Sequence, residues 1–390
     1  MENKRADAEY YRKAARVLHT LRYVVLLVLI VFVVIGFTTF KRELTYDNFR
    51  YIMRYLNFNI SADYKDTNIL NYSADEGSLY GYLKGDLAIL SSKSFRTYDF
   101  SGSELIYEKH SFPNPCLKTA GKYALCYDVS GTSLRLYNSY ANYETKHFDY
   151  GIKDACVRSD GSYAVSTSGK HLRSKVTVYE PNGEFTYETR DKEVVAVSLP
   201  ENTDKVNFLA LTVENGDFKF DLRSYNTRNE SAVVEKEFIG EFPLRLYSTD
   251  KIMCVLTDRA IHFVDYTGKT LKQYSHSSDR LSGFYQSGDY IGVTYTRSVT
   301  RESTMRLFKT DGKEISSESF ENNIISLSAY EDTVYALEQG KLHIINVIDG
   351  KIKKGDIRSV DVDAEFTDVF AISEKEYVLV SAHTAEHISE

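Results

Sequence analysis

The feature that most constrains the fold is a loose repeat running from about residue 68 to the C-terminus, in which one short apolar pattern returns at roughly forty-residue intervals. Its eight occurrences read LAILSS, YALCYD, YAVSTS, VNFLALTV, IMCVLTD, YIGVTYT, TVYALEQ and YVLVSA. Each is too short for a helix and rich in β-branched and aromatic residues, which suits a strand. A whole unit is visible from Asp154 to Glu188: strand, Asp160-Gly161 turn, strand, loop, strand, Asn182-Gly183 turn, strand. Asp-Gly and Asn-Gly between alternating apolar runs mark hairpins, because glycine accepts the positive φ of a tight turn. The same grammar returns from Arg280 and from Asn323. Three units place an aromatic residue four positions before a turn glycine: Tyr98/Gly102, Tyr179/Gly183 and Phe308/Gly312.

Units begin near residues 79, 115, 152, 193, 243, 280, 323 and 364. Four strands per unit at this spacing predict an all-β, eight-bladed β-propeller over residues 66–390. Seven blades is the alternative, because the fourth unit is long and the eighth is weak. A β-sandwich or β-helix fits the spacing less well. The last unit has room for three strands, and Thr67 to Tyr72 is expected to supply the fourth. Pairing the two ends of the repeat region would remove the exposed edges of an open ring.

Ahead of the repeat lies YVVLLVLIVFVVIGFTTF, residues 23–40, apolar and uncharged. This is about the length a helix needs to cross a bilayer, so one N-terminal transmembrane α-helix is expected. Lys4, Arg5, Arg12, Lys13, Arg16 and Arg22 precede it; Lys41, Arg42, Arg50 and Arg54 follow. That bias places residues 1–22 in the cytoplasm and the propeller on the exocytoplasmic side of the cell membrane. No small-residue cleavage site follows the apolar core, which reads as an uncleaved signal anchor. Residues 41–65 form a juxtamembrane linker, with helical spacing at Phe49, Ile52, Met53 and Leu56 and Asp47 as its N-cap.

A net charge of −7 without a basic stripe argues against nucleic acid as a partner. Tyrosine is abundant at 31 residues and tryptophan absent, which suggests tyrosines on a half-exposed sheet surface. None of Cys116, Cys126, Cys156 and Cys254 makes a C-x-x-C pair. Cys116 and Cys126 flank a turn at Ala120-Gly121-Lys122, so either a disulfide or two buried thiols fits there.

No catalytic, cofactor-binding or metal-binding motif survives inspection, and no cofactor is expected. His383 and His387 match H-x-x-E-H, but that chemistry needs a helix, and this tail reads as strand. Asp361, Asp363 and Glu365 resemble the start of a calcium loop, yet Phe366 stands where the turn glycine belongs, leaving a solvated inter-blade loop. An enzyme on this scaffold would gather ionisable groups around the axis. Tyr82, Arg158, Arg245, Tyr285 and Asp368, on the expected innermost strands, are the candidates for convergence.

The unit VRSDGSYAVSTSG…KVTVYEPNGE resembles blades of the WD40-like and quinoprotein-like propeller superfamily. The whole arrangement resembles bacterial membrane-anchored propeller proteins grouped as a family of unknown function. The Gly-His and Trp-Asp signatures of true WD40 repeats are missing, and a chain without tryptophan lacks the docking motifs of quinoprotein dehydrogenases. The resemblance implies a scaffold for binding. The expected function is therefore a membrane-tethered, non-catalytic binding module engaging an envelope protein or polysaccharide. A propeller-type hydrolase or lyase, or a ligand-sensing subunit of a membrane complex, is the alternative.

Overall fold

The computed structural model describes residues 19–35, 67–139, 141–181, 183–276, 279–297 and 302–389. Two compact units divide the chain, residues 1–62 and 63–390. In the first, residues 19–35 form a helix. Among the described residues no helix is long and apolar enough to cross a membrane. Residues 36–40 of the expected span, and the expected juxtamembrane helix, lie outside the described residues.

The second unit contains eight four-stranded antiparallel sheets, so the count is eight blades and not seven. Their first strands are Leu79–Leu83, Pro115–Ala120, Ile152–Val157, Glu193–Ser198, Pro243–Ser248, Arg280–Ser287, Ile324–Tyr330 and Asp368–Ala371. Most neighbouring first strands pack on one another, blade 1 on blade 2 and blade 7 on blade 8 among them, and they line the axis. All eight apolar patterns singled out in the sequence are second strands. Blade 8 is closed by the start of the repeat region: Thr67–Asn71 pairs antiparallel with Thr384–Ser389, Leu70 opposite Ala385.

The core is not one mass but eight apolar clusters, one in each seam between adjacent blades. The seam between blades 8 and 1 holds Leu70, Leu87, Ile89, Val378 and Val380. That cluster couples strand closure to side-chain packing. Turn glycines press on these seams too. Gly161 (φ +87°) would put a Cβ 2.8 Å from the Tyr123 ring, and Gly312 (φ +86°) one 2.9 Å from Phe263. Both the left-handed backbone and the close approach require glycine there.

Tyrosine departs from expectation. Tyr123, Tyr127, Tyr137, Tyr163, Tyr290, Tyr295 and Tyr335 are fully buried rather than half-exposed. Each seam is a face-to-face sheet contact that swallows the ring, while the hydroxyl reaches an acceptor on a neighbouring blade. Tyr137 donates to Glu108 at 3.0 Å, Tyr163 to Glu144 at 2.9 Å and Tyr290 to Asp332 at 2.8 Å.

The four cysteines are free thiols. Cys116 stands opposite Tyr127 and Leu117 opposite Cys126, so the two thiols occupy opposite faces of their hairpin. The tail from Thr384 to Ser389 is strand, which removes the helical face a H-x-x-E-H site needs. Asp363 accepts the Glu365 N–H at 3.0 Å, making an Asx turn between blades 7 and 8.

The closing seam sets a test. Leu70 is 3% exposed, whereas its neighbour Ile69 is 56% exposed. Leu70→Ala is expected to lower unfolding free energy by about 2–4 kcal/mol, and Ile69→Ala by under about 0.5 kcal/mol. Urea denaturation of the two variants checks it; equal losses would contradict the closure.

Candidate functional site

A cavity of about 740 Å³ opens on the axis, lined by first-strand residues of blades 2 to 6. Its walls mix aliphatic groups such as Val157, Val197 and Leu246 with Lys118, Lys153, Asp154, Glu201 and Arg245. The mixture follows from strand position. An innermost strand has a neighbouring blade on each side, so both of its faces meet protein and neither follows a simple apolar-in, polar-out alternation.

Asp154 is the most constrained of these groups. It follows a register break between Ile152 and Asp154, which turns its carboxylate toward both adjoining blades. Oδ1 accepts the Tyr127 hydroxyl at 3.1 Å and Oδ2 accepts the Val197 N–H at 2.9 Å. Burial pushes this carboxyl above the usual range, and the nearby Lys118 ammonium opposes the rise. Its hydrogen bonds bridge blades 2, 3 and 4. Lys153 is likewise engaged, by Glu193 at 2.5 Å and the Ser174 hydroxyl at 2.8 Å. Glu201 Oε2 accepts both the N–H and the hydroxyl of Ser159. Burial holds the thiol of Cys156 and the hydroxyl of Tyr247 in their neutral forms, each pushed up to about 12.

Of the five axial candidates, only Arg245 lines this cavity. Arg158 does not reach the axis. It is 6% exposed, sits in the turn after the first strand of blade 3, and bonds Asp160, the Thr203 carbonyl and Glu180. There it borders a separate cleft of about 490 Å³ with Asp204 and Arg228. The Tyr285 hydroxyl donates to the Ile324 carbonyl at 2.7 Å, tying blade 6 to blade 7. The Tyr82 ring stacks on Phe370, centroids 6.3 Å apart, across the closing seam. Asp368 accepts from the Thr367 hydroxyl at 2.9 Å, and burial pushes its carboxyl upward. Its charge is felt by Tyr72, Tyr80 and Tyr285. The candidates thus form no single cluster. Lys118 and Asp154 were missed; the available signal was a charge placed inside an otherwise apolar first strand. Among the described residues no group of acidic, histidine and cysteine side chains could hold a metal ion.

Titration of the seams is predictable from geometry. His276 Nε2 donates to the Thr257 carbonyl at 2.8 Å, and Nδ1 accepts from the Tyr295 hydroxyl at 2.8 Å. The neutral ring satisfies both; burial, and then Arg306 and His262, hold its pKa below the ordinary histidine value, with Thr257 and Asp258 opposing. His110 and His343 shift the same way, again through burial. A depressed histidine pKa means the unfolded chain takes up protons first as pH falls below about 6.5, so stability is lost there. Raised carboxyls such as Asp154 act in the opposite sense, at lower pH. Melting temperature is therefore expected to drop from about pH 7.5 to about pH 5.5, and to drop less steeply in His276→Gln, which preserves donor and acceptor. An unchanged slope in the variant would refute the assignment.

Comparison with solved structures supports the architecture. The computationally designed Ika8 protein matches with a TM-score of 0.60 and 12% identity, covering 82% of this chain and 99% of that one. Sqt1 of Saccharomyces cerevisiae matches at 0.54 with 9% identity, covering 82% and 97%. BamB from Moraxella catarrhalis matches at 0.50 with 13% identity, covering 83% and 98%. At such identities the likeness is one of fold alone. No protein of curated function matches. A family model described as a family of unknown function, DUF5711, matches residues 57–389.

Proposed function

The chain belongs to that family, DUF5711, whose model spans the whole propeller, and we propose that it is a membrane-tethered, non-catalytic binding scaffold. In this reading the propeller faces the exocytoplasmic side and engages a partner protein of the cell envelope. The observation that carries tethering is the helix of residues 19–35. Every large apolar side chain from Leu21 to Ile35 is 45–77% exposed, on all faces of the helix. A helix apolar all round needs apolar surroundings, and a bilayer supplies them. The sequence stays uncharged to Phe40, which extends the apolar run to bilayer length.

The binding role rests on how the ionisable groups are used. Asp154, Lys153 and Glu201 hold blades together or order turns, which suits a rigid surface better than proton transfer. Tethering confines such a surface to the membrane plane and raises its effective concentration near other envelope proteins.

Two measurements test this. The full chain is expected to stay in the membrane pellet after alkaline carbonate extraction, and Leu27→Lys/Val31→Lys to release it. Proximity labelling from the full chain should enrich particular envelope proteins that a chain ending near Phe40 does not. Extraction of the unaltered chain would refute tethering, and labelling no different from the short chain would refute the scaffold.

A further inference from the structure

We propose that the axial cavity binds a small organic anion, a carboxylate- or phosphate-bearing ligand with a short apolar body, through Lys118 and Arg245. This deepens the binding reading above and rests on it. The inference begins with charges left over once the cavity's other groups are accounted for. Asp154 is occupied by Tyr127 and Val197, Lys153 by Glu193 and Ser174, and Glu201 by Ser159. Lys118 and Arg245 remain. The half-buried Lys118 makes no hydrogen bond or ion pair with the described residues. Arg245 makes one contact, to the Leu244 carbonyl at 3.1 Å.

Arg245 is exposed at the cavity mouth with unused donors, Lys118 is half-buried in its wall, and both are satisfied by an acceptor with several oxygens. They come from the first strands of blades 2 and 5, so a ligand reaching both must span the cavity and not sit on one wall. The volume of about 740 Å³ suits a small organic molecule. Leu199, Leu246 and Phe284 offer its body an apolar wall. The field is weakened but not cancelled by Asp154, whose charge Lys118 already opposes.

The test uses the full chain in nanodiscs, with glutarate as probe and uncharged glutaramide as its isosteric control, read by ligand-observed saturation-transfer NMR. Glutarate is expected to saturate one site, and glutaramide to give no saturable signal. Lys118→Gln/Arg245→Gln should weaken glutarate at least tenfold, while Lys118→Arg/Arg245→Lys, which keeps both charges, should hold it within about threefold. Arg228→Gln, at the separate cleft, should change nothing. Inorganic phosphate is the competing arm: displacement at lower concentration than glutarate assigns a phosphate-bearing ligand, and weaker displacement a carboxylate. Equal signals from glutarate and glutaramide, or unweakened binding in a folded double Gln variant, would overturn the site. Proximity labelling and glutarate titration of the unaltered chain separate this from the scaffold reading. Retained partners without anion binding remove only the cavity ligand, whereas anion binding without partners removes only the scaffold.

Discussion

Everything in the propeller depends on one strand pairing: Thr67–Asn71 against Thr384–Ser389. Without it blade 8 has three strands, and its outer edge presents unpaired N–H and C=O groups to water or to another chain. The pairing also delivers Leu70 to the seam between blades 8 and 1 and Tyr72 to the Ser381 carbonyl at 2.6 Å. A ring of seams is stable only as a ring, since each blade buries two faces and an open end would expose one. The cost is a contact that joins residues more than three hundred positions apart, so its loop entropy falls due late in folding.

A second constraint is the inner edge of each sheet. The first strand has no further strand on its axial side, so its N–H groups need other acceptors. Side chains of the preceding blade supply several. Asp154 takes the Val197 N–H, Ser287 that of Ala329, Ser326 that of Val369 and Ser328 that of Ala371. These contacts recur at offsets of 42 or 43 residues, the repeat length itself. The repeat is therefore kept in phase by polar locks near the axis as well as by apolar packing further out. A hydroxyl or carboxylate at such a position is fully used, which is why an axial polar group in this fold is not by itself a reactive one.

Blade number, second strands and ring closure were legible in the sequence because they rest on local signals: short apolar runs, Asp-Gly turns, and an incomplete last unit with a matching strand at the start of the repeat region. Arg158 shows where legibility ended. It lies one residue past its strand, where the chain turns at Asp160-Gly161, and that single step swings the guanidinium from axis to seam. Ser287, Ser326 and Ser328 were equally unreadable, since serine in a strand looks the same facing solvent as accepting a distant N–H. Tyrosine misled for a related reason. Its amphipathic ring suits a wet surface and a seam alike, and only the third dimension shows the carboxylates waiting at the seam's rim. The family resemblance was likewise readable from blade grammar, whereas the axial cavity required the assembled ring.

Rigidity and binding then follow from the same chemistry. Blades locked at both the seam and the axis cannot shift independently, so the strands that carry the cavity's cations sit at fixed separation before any ligand arrives. A fixed backbone leaves only the two side chains to be ordered on binding, which costs less than ordering a flexible loop as well. Lys118 and Arg245 make no ion pair with the described residues, so their hydrogen-bond donors are left for a ligand. Lys118 is half-buried within the field of Asp154 and Arg245 is exposed, so the fold leaves both cations hydrogen-bonding capacity for a ligand. An anion that binds across these two strands favours the folded ring only while it is bound, which couples occupancy of the axis to the stability of the ring around it.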